Sequence, residues 1–212
     1  MRLLLSGCTA TLRRIQHRYA DVLGMLVTPS QGYCPATASA SGLPWAIDNA
    51  AFSGFDERRF RRLLSKAAGL PGCLFTVAPD VVADARATLA TFPWWVWEIR
   101  AARLPVAFVG QDGAEDLSLP WEQFDAWFVG GSTAWKLSQA SSDLVAEAKR
   151  RGKWVHMGRV NSRRRLLAAI DMGCDSCDGT GMSRWGDRHL ANFCRWVREI
   201  QGLPRPLFED QR

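Results

Sequence analysis

Long hydrophobic runs are absent from this sequence, and their absence excludes two kinds of segment. Charge, Gly or Pro interrupts the longest apolar stretches within about ten residues, whereas a membrane-spanning helix needs about 20 apolar residues in a row. The opening MRLLLSGCTATLRR has a run of only three leucines, shorter than the core of about 7 to 15 residues in a secretory signal. We therefore expect a cytoplasmic protein that does not enter a membrane.

Lysine is also scarce, and arginine carries most of the positive charge. The chain has 27 Lys and Arg against 21 Asp and Glu, a formal net charge of +6, but only four lysines. Because a planar guanidinium bonds phosphate through parallel N–H groups, this bias suits a nucleic-acid surface. A GC-rich coding sequence would favour arginine in the same way. The composition alone leaves both interpretations open.

The six cysteines are few enough, in a chain without an export signal, to be free thiols rather than a disulfide framework. One group has a spacing that suits zinc, namely Cys174 and Cys177 followed by His189 and Cys194. Cys174 and Cys177, however, fall in a segment with the pattern of a buried strand end. We predict no metal and no cofactor, with zinc at these four residues as the alternative.

The pattern of apolar residues predicts a single α/β domain over residues 1–212. With 47% hydrophobic and 23% charged residues, the chain can build one substantial core. Eight short apolar runs predict β-strands, which are Arg2–Leu5, Met25–Thr28, Trp45–Asp48, Cys73–Ala78, Pro105–Val109, Ala126–Val129, Lys153–Met157 and Cys174–Asp178.

Amphipathic stretches lie between the predicted strands. The clearest, from Asp56 to Ala68, places four apolar residues at helical spacing and has a plausible N-cap in Asp56 and a stop in Gly69. Further helices are predicted at Ala10–Tyr19, Val82–Phe92, Ala134–Arg151, Ser162–Met172 and Asp187–Gln201. The link from Asp112 to Phe124 is predicted to be a loop.

Eight strands alternating with helices predict a closed (β/α)8 barrel of the TIM type rather than an open sheet. Such barrels usually need about 250 residues, and this chain has 212. Some of its helices must therefore be short or missing.

Active sites in this fold are built at the carboxyl ends of the strands, so the polar residues at those positions are the candidates. Carboxylates, amides and glycines that expose backbone N–H groups follow these strands. The candidates are Asp48 and Asn49, Asp80, Gln111 and Asp112, Gly130 and Gly131, Gly158 and Arg159, and Asp175 and Asp178.

This inventory disfavours three chemistries. Apart from Lys136, a few residues into a helix, no lysine lies near a strand end, which disfavours Schiff-base aldolase chemistry. His156 is the only histidine in a predicted strand, and a lone strand histidine is usually a core residue, which disfavours a His-rich metallohydrolase. No Gly-rich fingerprint opens a helix after the first strand, which disfavours a nicotinamide enzyme.

After these three chemistries are set aside, the candidate residues favour chemistry performed by carboxylates. Two aspartates on either side of a glycosidic bond can act as nucleophile and as general acid/base. A further carboxylate and an amide suit a guanine-like base, whose N1–H and 2-amino group are donors and whose O6 is an acceptor.

At these residues the sequence resembles the tRNA-guanine transglycosylase superfamily, especially its short members that insert 7-deazaguanines into DNA. The likeness covers about two-thirds of the chain, from Trp45 to Arg184. Five segments resemble family motifs in the correct order: Ile47-Asp-Asn-Ala-Ala-Phe-Ser53, Val77-Ala-Pro-Asp80, Phe108-Val-Gly-Gln-Asp-Gly113, Val129-Gly-Gly-Ser132, and His156-Met-Gly-Arg-Val with Arg165-Leu-Leu-Ala-Ala-Ile-Asp-Met-Gly-Cys-Asp-Ser-Cys-Asp178.

The sequence also departs from the family pattern. The Cys-rich zinc subdomain that follows the last strand in the family is absent, which favours DNA over tRNA as the polymer. Asn49-Ala50-Ala51 replaces the family's S-G-G, and Gly179-Thr180 replaces its C-V. The acidic groups are all present.

The resemblance implies a role for each candidate residue. Asp178 would be the nucleophile, with Asp175 as the alternative, and Asp48 the general acid/base. The residues expected to hold the base are Asp80, Gln111, Gly130, Gly131, Phe52, Asn49 and Met157. The residues expected to contact nucleic acid are Arg159, Arg163, Arg164, Arg184, Lys149 and Arg150.

The implied function is a DNA-guanine transglycosylase that exchanges guanine in DNA for a 7-deazaguanine base related to preQ0. Its implied partners are DNA, the 7-deazaguanine base and, at the duplex, accessory proteins. Two alternatives stay open, namely the same chemistry on RNA and an inactive barrel that serves as a DNA-binding subunit. The cluster Trp94-Trp95-Val-Trp97 has large rings that cannot all face inward on one helix, so it predicts a homodimer surface, simple packing, or a stacking platform.

Overall fold

The eight strands of the chain form a closed parallel barrel, with each strand paired to the next in sequence and the last paired to the first. The computed structural model describes residues 1–6, 9–30, 34–180 and 186–203. The strands are β1 (Arg2–Leu5), β2 (Leu23–Val27), β3 (Trp45–Ile47), β4 (Cys73–Val77), β5 (Val106–Gly110), β6 (Ala126–Val129), β7 (Trp154–Met157) and β8 (Ser176–Asp178). The predicted barrel is confirmed, and the predicted strand bounds differ from these by at most two residues.

The strand sequences are nearly continuous apolar runs because both faces of the sheet are buried. Every residue of β2 and of β5 is buried, one face inside the barrel and the other under the helices. Inward-facing side chains of β1 to β6 form one apolar cluster, which includes Leu4, Leu26 and Phe75. The interior faces of β7 and β8 are different, because they carry polar side chains.

Helices surround the barrel: α1 (Thr9–Tyr19), α2 (Pro35–Ala40), α3 (Glu57–Ala67), α4 (Ala85–Ala101), α5 (Thr133–Lys136), α6 (Gln139–Arg150), α7 (Arg163–Asp171) and α8 (Gly186–Ile200). Side-chain N-caps begin five of them, as the sequence pattern of Ser and Asp before each helix favours. The capping residues are Asp56, Asp84, Ser132, Ser138 and Ser162.

Two helix predictions were wrong in extent. The single helix predicted at Ala134–Arg151 is two helices, because Ser138 caps a new start by accepting the N–H of Ser141. The helix predicted to end at Phe92 continues through Pro93 to Ala101. Proline removes one backbone bond, but the buried residues that follow it hold this helix on the barrel.

The sequence pattern did not predict α2, a short helix of small residues that begins with Pro35. The link from Asp112 to Phe124 was predicted to be a loop and contains two 3-10 turns, at Ala114–Asp116 and Trp121–Gln123. Short helices of this kind are how 212 residues complete the barrel.

Carboxylates at the amino-terminal end of the barrel hold neighbouring strands together. Asp125 accepts the N–H of Val106 at 2.7 Å, and Asp175 accepts the N–H of Val155 at 2.8 Å. Asp175 is also ion-paired with Lys149 at 2.7 Å. In this fold that end of the barrel serves stability, so Asp175 is a structural residue.

No helix in the described ranges is both long enough and apolar enough to cross a bilayer.

Candidate active site

A pocket of about 780 Å³ opens at the carboxyl end of the barrel. It gathers residues from the ends of strands that are distant in sequence, as the fold requires. Eight of the predicted catalytic and base-binding residues line it together with the predicted Arg159; these eight are Asp48, Asn49, Phe52, Asp80, Gln111, Gly130, Gly131 and Asp178.

Asp178 ends β8 and points into this pocket, with 18% of its side chain exposed. Its Oδ1 accepts the backbone N–H of Arg159 at 2.7 Å and lies 3.6 Å from Nε2 of His156. Burial alone would raise the pKa of this carboxyl, but the His156 contact, the Arg159 N–H and the Lys136 charge together hold its pKa below the usual value. Asp178 is therefore a carboxylate at neutral pH.

Asp48 follows β3 and has the opposite electrostatic environment. Burial and the neighbouring charge of Asp178 raise its pKa to about 7, although the backbone N–H of Ala50 bonds its Oδ1 at 2.9 Å. Two carboxyl groups in one pocket therefore have pKa values pushed apart. That separation lets one serve as a nucleophile while the other exchanges a proton near neutral pH.

Asp80, which follows β4, is held by two side-chain amides. Nδ2 of Asn49 donates to its Oδ1 at 2.7 Å, and Nε2 of Gln111 donates to its Oδ2 at 2.5 Å. Burial raises the pKa of Asp80, and these two hydrogen bonds act against the rise. Each carboxyl oxygen keeps a lone pair for a ligand, so Asp80 can accept two donors of a base edge.

The orientations of the Gln111 and Asn49 side-chain amides follow from the backbone N–H groups that their oxygens accept. Oε1 of Gln111 accepts the N–H of Ala83 at 2.9 Å and of Gly131 at 2.8 Å, so only its Nε2 can face Asp80. Oδ1 of Asn49 accepts the N–H of Ala51 at 2.7 Å. The Gly131 N–H, predicted to meet the base, is thus donated to Gln111 in this structure.

Gly131 cannot be another residue here. Its φ is +66°, and a Cβ would lie 2.6 Å from the ring of Trp135 and 2.8 Å from Asp112. A Cβ on Gly130 would meet Val109 at 2.6 Å. The two glycines let the chain after β6 pass close beneath Gln111, which shapes this wall of the pocket.

Phe52 and Arg159 face each other across the mouth of the pocket. The Phe52 side chain is 69% exposed, and the Arg159 guanidinium lies 4.5 Å from its ring centroid. The same guanidinium donates to the carbonyl of Gly131. Arg159 also has a φ of +62°, uncommon for a residue with a side chain, and this turn aims its N–H at Asp178.

Two buried residues of the site were not among the predicted site residues. His156 was interpreted as a core residue, and it is fully buried, but its Nε2 faces Asp178. Lys136 is buried on α5, where its Nζ donates to the carbonyl of Gly158 at 2.5 Å, and burial lowers its pKa to about 8. The signal for His156 was its place on β7, two residues before the strand-end Gly158.

The prediction that Met157 holds the base was wrong. Met157 is fully buried in the layer between the sheet and the helices. Side chains alternate along a strand, and since His156 faces the interior, Met157 has to face outward.

The structure separates the predicted nucleic-acid contacts into two groups. Arg163 and Arg164 begin α7 and are exposed at the same end of the barrel as the pocket. Lys149 and Arg150 end α6 at the opposite end and are paired with Asp175 and Glu147. The position of this second pair disfavours it as a contact for a strand that enters the pocket. Arg184 lies outside the described residues.

The cysteines proposed as the alternative zinc ligands are not brought together. Cys174 and Cys177 are buried at β8 and Cys194 is buried on α8, and all three are free thiols. Among residues 1–6, 9–30, 34–180 and 186–203, no three His, Cys, Asp or Glu side chains are placed to hold a metal ion.

The three tryptophans of the cluster Trp94-Trp95-Val-Trp97 face different sides of α4, one buried and two exposed. Trp95 packs on Phe55 and Phe60, with centroids 5.5 and 5.7 Å away, whereas Trp94 and Trp97 are exposed on α4. Packing accounts for Trp95, and the dimer surface and the stacking platform remain predictions for the other two.

No protein-family model matches the chain, and no curated protein matches it. Solved structures do resemble it. One described as "Native KDPGal structure" has a TM-score of 0.60 at 16% identity and covers 95% of both chains. Mandelate oxidase with (S)-2-phenylpropionate has a TM-score of 0.59 at 17% identity, over 91% of this chain and 68% of that one. A designed cube-shaped protein cage has a TM-score of 0.59 at 16% identity, over 94% of this chain and 72% of that one. At such identities the likenesses show the fold, so this chain is a (β/α)8 barrel whose chemistry has to be argued from its own site.

Proposed function

We propose that this protein is a guanine transglycosylase that exchanges guanine in DNA for a 7-deazaguanine base. The observation that carries the proposal is the pair Asp178 and Asp48 in one pocket, the first with its pKa lowered and the second with its pKa raised to about 7. Asp80 and Gln111, with their donors and acceptors fixed, supply the recognition of a guanine edge.

The first half of the reaction expels guanine. A carboxylate oxygen of Asp178 attacks C1′ of the target nucleotide, and the bond from C1′ to the guanine nitrogen breaks with its electron pair going to the base. The protonated form of Asp48 gives its proton to the leaving base. The products are free guanine and a glycosyl ester on Asp178.

The second half is the reverse, with a different base. The 7-deazaguanine gives its ring proton to the Asp48 carboxylate, and its nitrogen attacks C1′ and displaces Asp178. Two inversions retain the configuration at C1′. Both carboxyl groups return to their starting protonation states, so the proton and electron balance closes with these two residues alone.

The base edge fits the fixed hydrogen-bonding groups of the pocket. A guanine-like base has donors at N1 and at its 2-amino group, which suit the two oxygens of Asp80, and an acceptor at O6, which suits Nε2 of Gln111. Phe52 supplies an exposed ring in the pocket lining on which the base would stack. The target nucleotide has to leave the helix to enter, at a cost of a few kcal/mol, least for single-stranded substrate.

DNA is the preferred polymer because the resemblance is strongest to the members of the family that act on DNA, and RNA is the first alternative. An inactive DNA-binding barrel is the second. The Schiff-base chemistry of other barrels is disfavoured because Nζ of the buried Lys136 is bonded to Gly158 and does not line the pocket.

One assay tests the proposal. The protein is incubated with single-stranded DNA, duplex DNA or tRNA, each with preQ0 and with labelled guanine, and the nucleosides are analysed by mass spectrometry. Exchange in DNA supports the proposal, exchange confined to tRNA supports the RNA alternative, and no exchange in any polymer overturns the enzyme assignment.

Asp80→Asn is expected to raise KM for the free base by roughly 10- to 100-fold, with a smaller change in kcat, because a hydrogen bond to a charged group contributes about 1.5–3 kcal/mol. Asp84→Asn is the matched control, since Asp84 also follows β4 but caps α4 outside the pocket. Steady-state kinetics with varied base measure both. An unchanged KM in Asp80→Asn would remove Asp80 from base recognition.

Replacing Arg163 and Arg164 by Gln is expected to weaken DNA binding and to reduce the slope of log K against log salt by about one for each phosphate that is no longer neutralised. The same replacement of Lys149 and Arg150 removes equal charge at the far end of the barrel and is expected to leave the slope unchanged. Fluorescence anisotropy of labelled DNA at several salt concentrations measures the slope. Equal reductions from the two pairs would show that only net charge matters.

A further inference from the structure

A connected series of polar side chains lies beneath Asp178, in the part of the barrel interior formed by β7 and β8. Nε1 of Trp154 donates to Oγ of Ser176 at 2.9 Å, and Oγ of Ser176 lies 2.8 Å from Nδ1 of His156. Nε2 of His156 lies 3.6 Å from Oδ1 of Asp178. Every second residue of β7 and β8 faces inward. This alternation places Trp154 and His156 of β7 beside Ser176 and Asp178 of β8.

The partners of the His156 ring decide which nitrogen carries the proton. Nε2 lies 3.6 Å from the carboxylate of Asp178, which has no proton to give. A neutral ring therefore places its hydrogen on Nε2, and Nδ1 accepts the hydroxyl hydrogen of Ser176. Trp154, which can only donate, turns the Ser176 hydroxyl toward His156.

The surroundings of the ring are otherwise apolar. The centroids of Phe128 and Phe75 lie 4.8 and 5.1 Å from the centroid of His156, which is fully buried. A carboxylate beside such a wall is poorly solvated and is driven toward its protonated form unless a donor faces it. A protonated Asp178 cannot attack C1′.

We propose that His156 is a positioning residue, which directs its Nε2–H at Asp178 and thereby keeps the carboxylate ionised and oriented, with Ser176 and Trp154 fixing the tautomer. The proposal rests on the proposed function for the reaction that Asp178 performs. The effect on the Asp178 carboxylate itself does not depend on the identity of the substrate.

Other groups also act on Asp178 and have to be held constant in a test. They come from three other parts of the fold: the charge of Lys136 from α5, the backbone N–H of Arg159 from the loop after β7, and the carboxyl of Asp48 from the end of β3. Variants of His156, Ser176 or Trp154 leave all three in place, so a change in the titration of Asp178 can be assigned to the ring.

Two substitutions separate the two ring nitrogens. His156→Gln places an amide nitrogen near the position of Nε2, whereas His156→Asn reaches only the position of Nδ1. We expect His156→Asn to lower kcat by about 10- to 100-fold with little change in KM for the base, as removal of a donor that faces a charged group predicts. His156→Gln is expected to restore most of that activity.

The readout specific to positioning is the ionisation of Asp178. In His156→Asn, the carboxyl ¹³C titration of Asp178, assigned by its absence in Asp178→Asn, is expected to move to higher pH. Phe75→Leu is the packing control, since it loosens the same wall without removing a donor, and it is expected to leave that titration unchanged.

The outcomes separate this proposal from the proposed function. If the wild-type protein exchanges no base, the function fails, and the ¹³C titration still tests His156. If the titration is unchanged in a folded His156→Asn protein, or if Phe75→Leu moves it equally, the positioning role is overturned while the function stands. Should His156→Asn fail to fold, the same comparison is made between Ser176→Ala, which frees the tautomer, and Phe75→Leu.

Discussion

Asp178→Asn is expected to lower kcat for base exchange by roughly 10³- to 10⁶-fold, the range for removal of a covalent nucleophile. An asparagine side chain is nearly the same size and still accepts the Arg159 N–H, but its amide does not form a glycosyl ester. Acid-quenched reactions analysed by intact-protein mass spectrometry measure the ester directly. The wild-type protein is expected to gain the mass of the DNA strand without one guanine, and the variant to gain nothing.

Asp175→Asn is the matched control, because it changes the other aspartate of the same segment. Asp175 bonds the N–H of Val155 and pairs with Lys149 at the amino-terminal end of the barrel. Its replacement is expected to lower stability, by about 1–3 kcal/mol for a partly buried charged hydrogen bond, while exchange and ester formation continue. An active Asp178→Asn protein together with an inactive, folded Asp175→Asn protein would reverse the assignment of the nucleophile.

The choice between Asp175 and Asp178 shows what the sequence could supply. Strand alternation can tell the two aspartates apart only when the start of the strand is known. The sequence pattern put that start at Cys174, two residues earlier than the structure does. Spacing against the family motif favoured Asp178. The structure adds the physical reason: Asp178 lies at the carboxyl end of β8, where sites form, and Asp175 precedes the strand at the other end.

The site residues at strand ends were predictable because the barrel rule selects them by position. His156 and Lys136 were not among the predicted site residues, and Met157 was wrongly expected to hold the base, because these placements depend on which way a side chain points. One register step separates an inward His156 from an outward Met157. Lys136 reaches the site from a helix of only four residues, whose separation from α6 depends on the Ser138 cap.

The basic residues show a second limit of prediction from sequence. Runs such as Lys149-Arg150-Arg151 and Arg163-Arg164-Arg165 look alike in sequence. Because each helix of the barrel runs back against its strand, the end of α6 and the start of α7 are at opposite ends of the molecule. Charge composition predicts attraction to a polyanion, but only the topology says which arginines can reach a strand that enters the pocket.

Asp48→Asn is expected to lose most of its activity and yet to be more stable than the wild-type protein above neutral pH. The pKa of Asp48 is raised from 3.8 to about 7, so between these values the folded state holds a proton that the unfolded state has released. Stability from this group therefore falls as pH rises through that window, reaching a penalty of about 2–4 kcal/mol above pH 7. Asparagine avoids the penalty because it does not ionise, and its oxygen can still accept the Ala50 N–H.

Urea unfolding of both proteins at several pH values measures this difference. Near pH 4 the two are expected to be about equally stable, and at pH 8 the variant is expected to have the higher midpoint. A variant that is less stable at pH 8 would mean that the Asp48 carboxylate is favourably paired, and its pKa could then not be raised.

The activities of the wild-type protein and Asp48→Asn test whether the raised pKa of Asp48 serves proton transfer. Exchange needs Asp48 protonated when guanine leaves and ionised when the 7-deazaguanine arrives, so the rate is expected to peak near pH 7 and to fall on either side. Asp48→Asn is expected to be slower by about 10²- to 10⁴-fold at the peak, and ester formation slows with it when guanine cannot be protonated. A profile that stays flat from pH 5 to 9 would separate Asp48 from proton transfer. Its raised pKa would then follow only from burial beside Asp178.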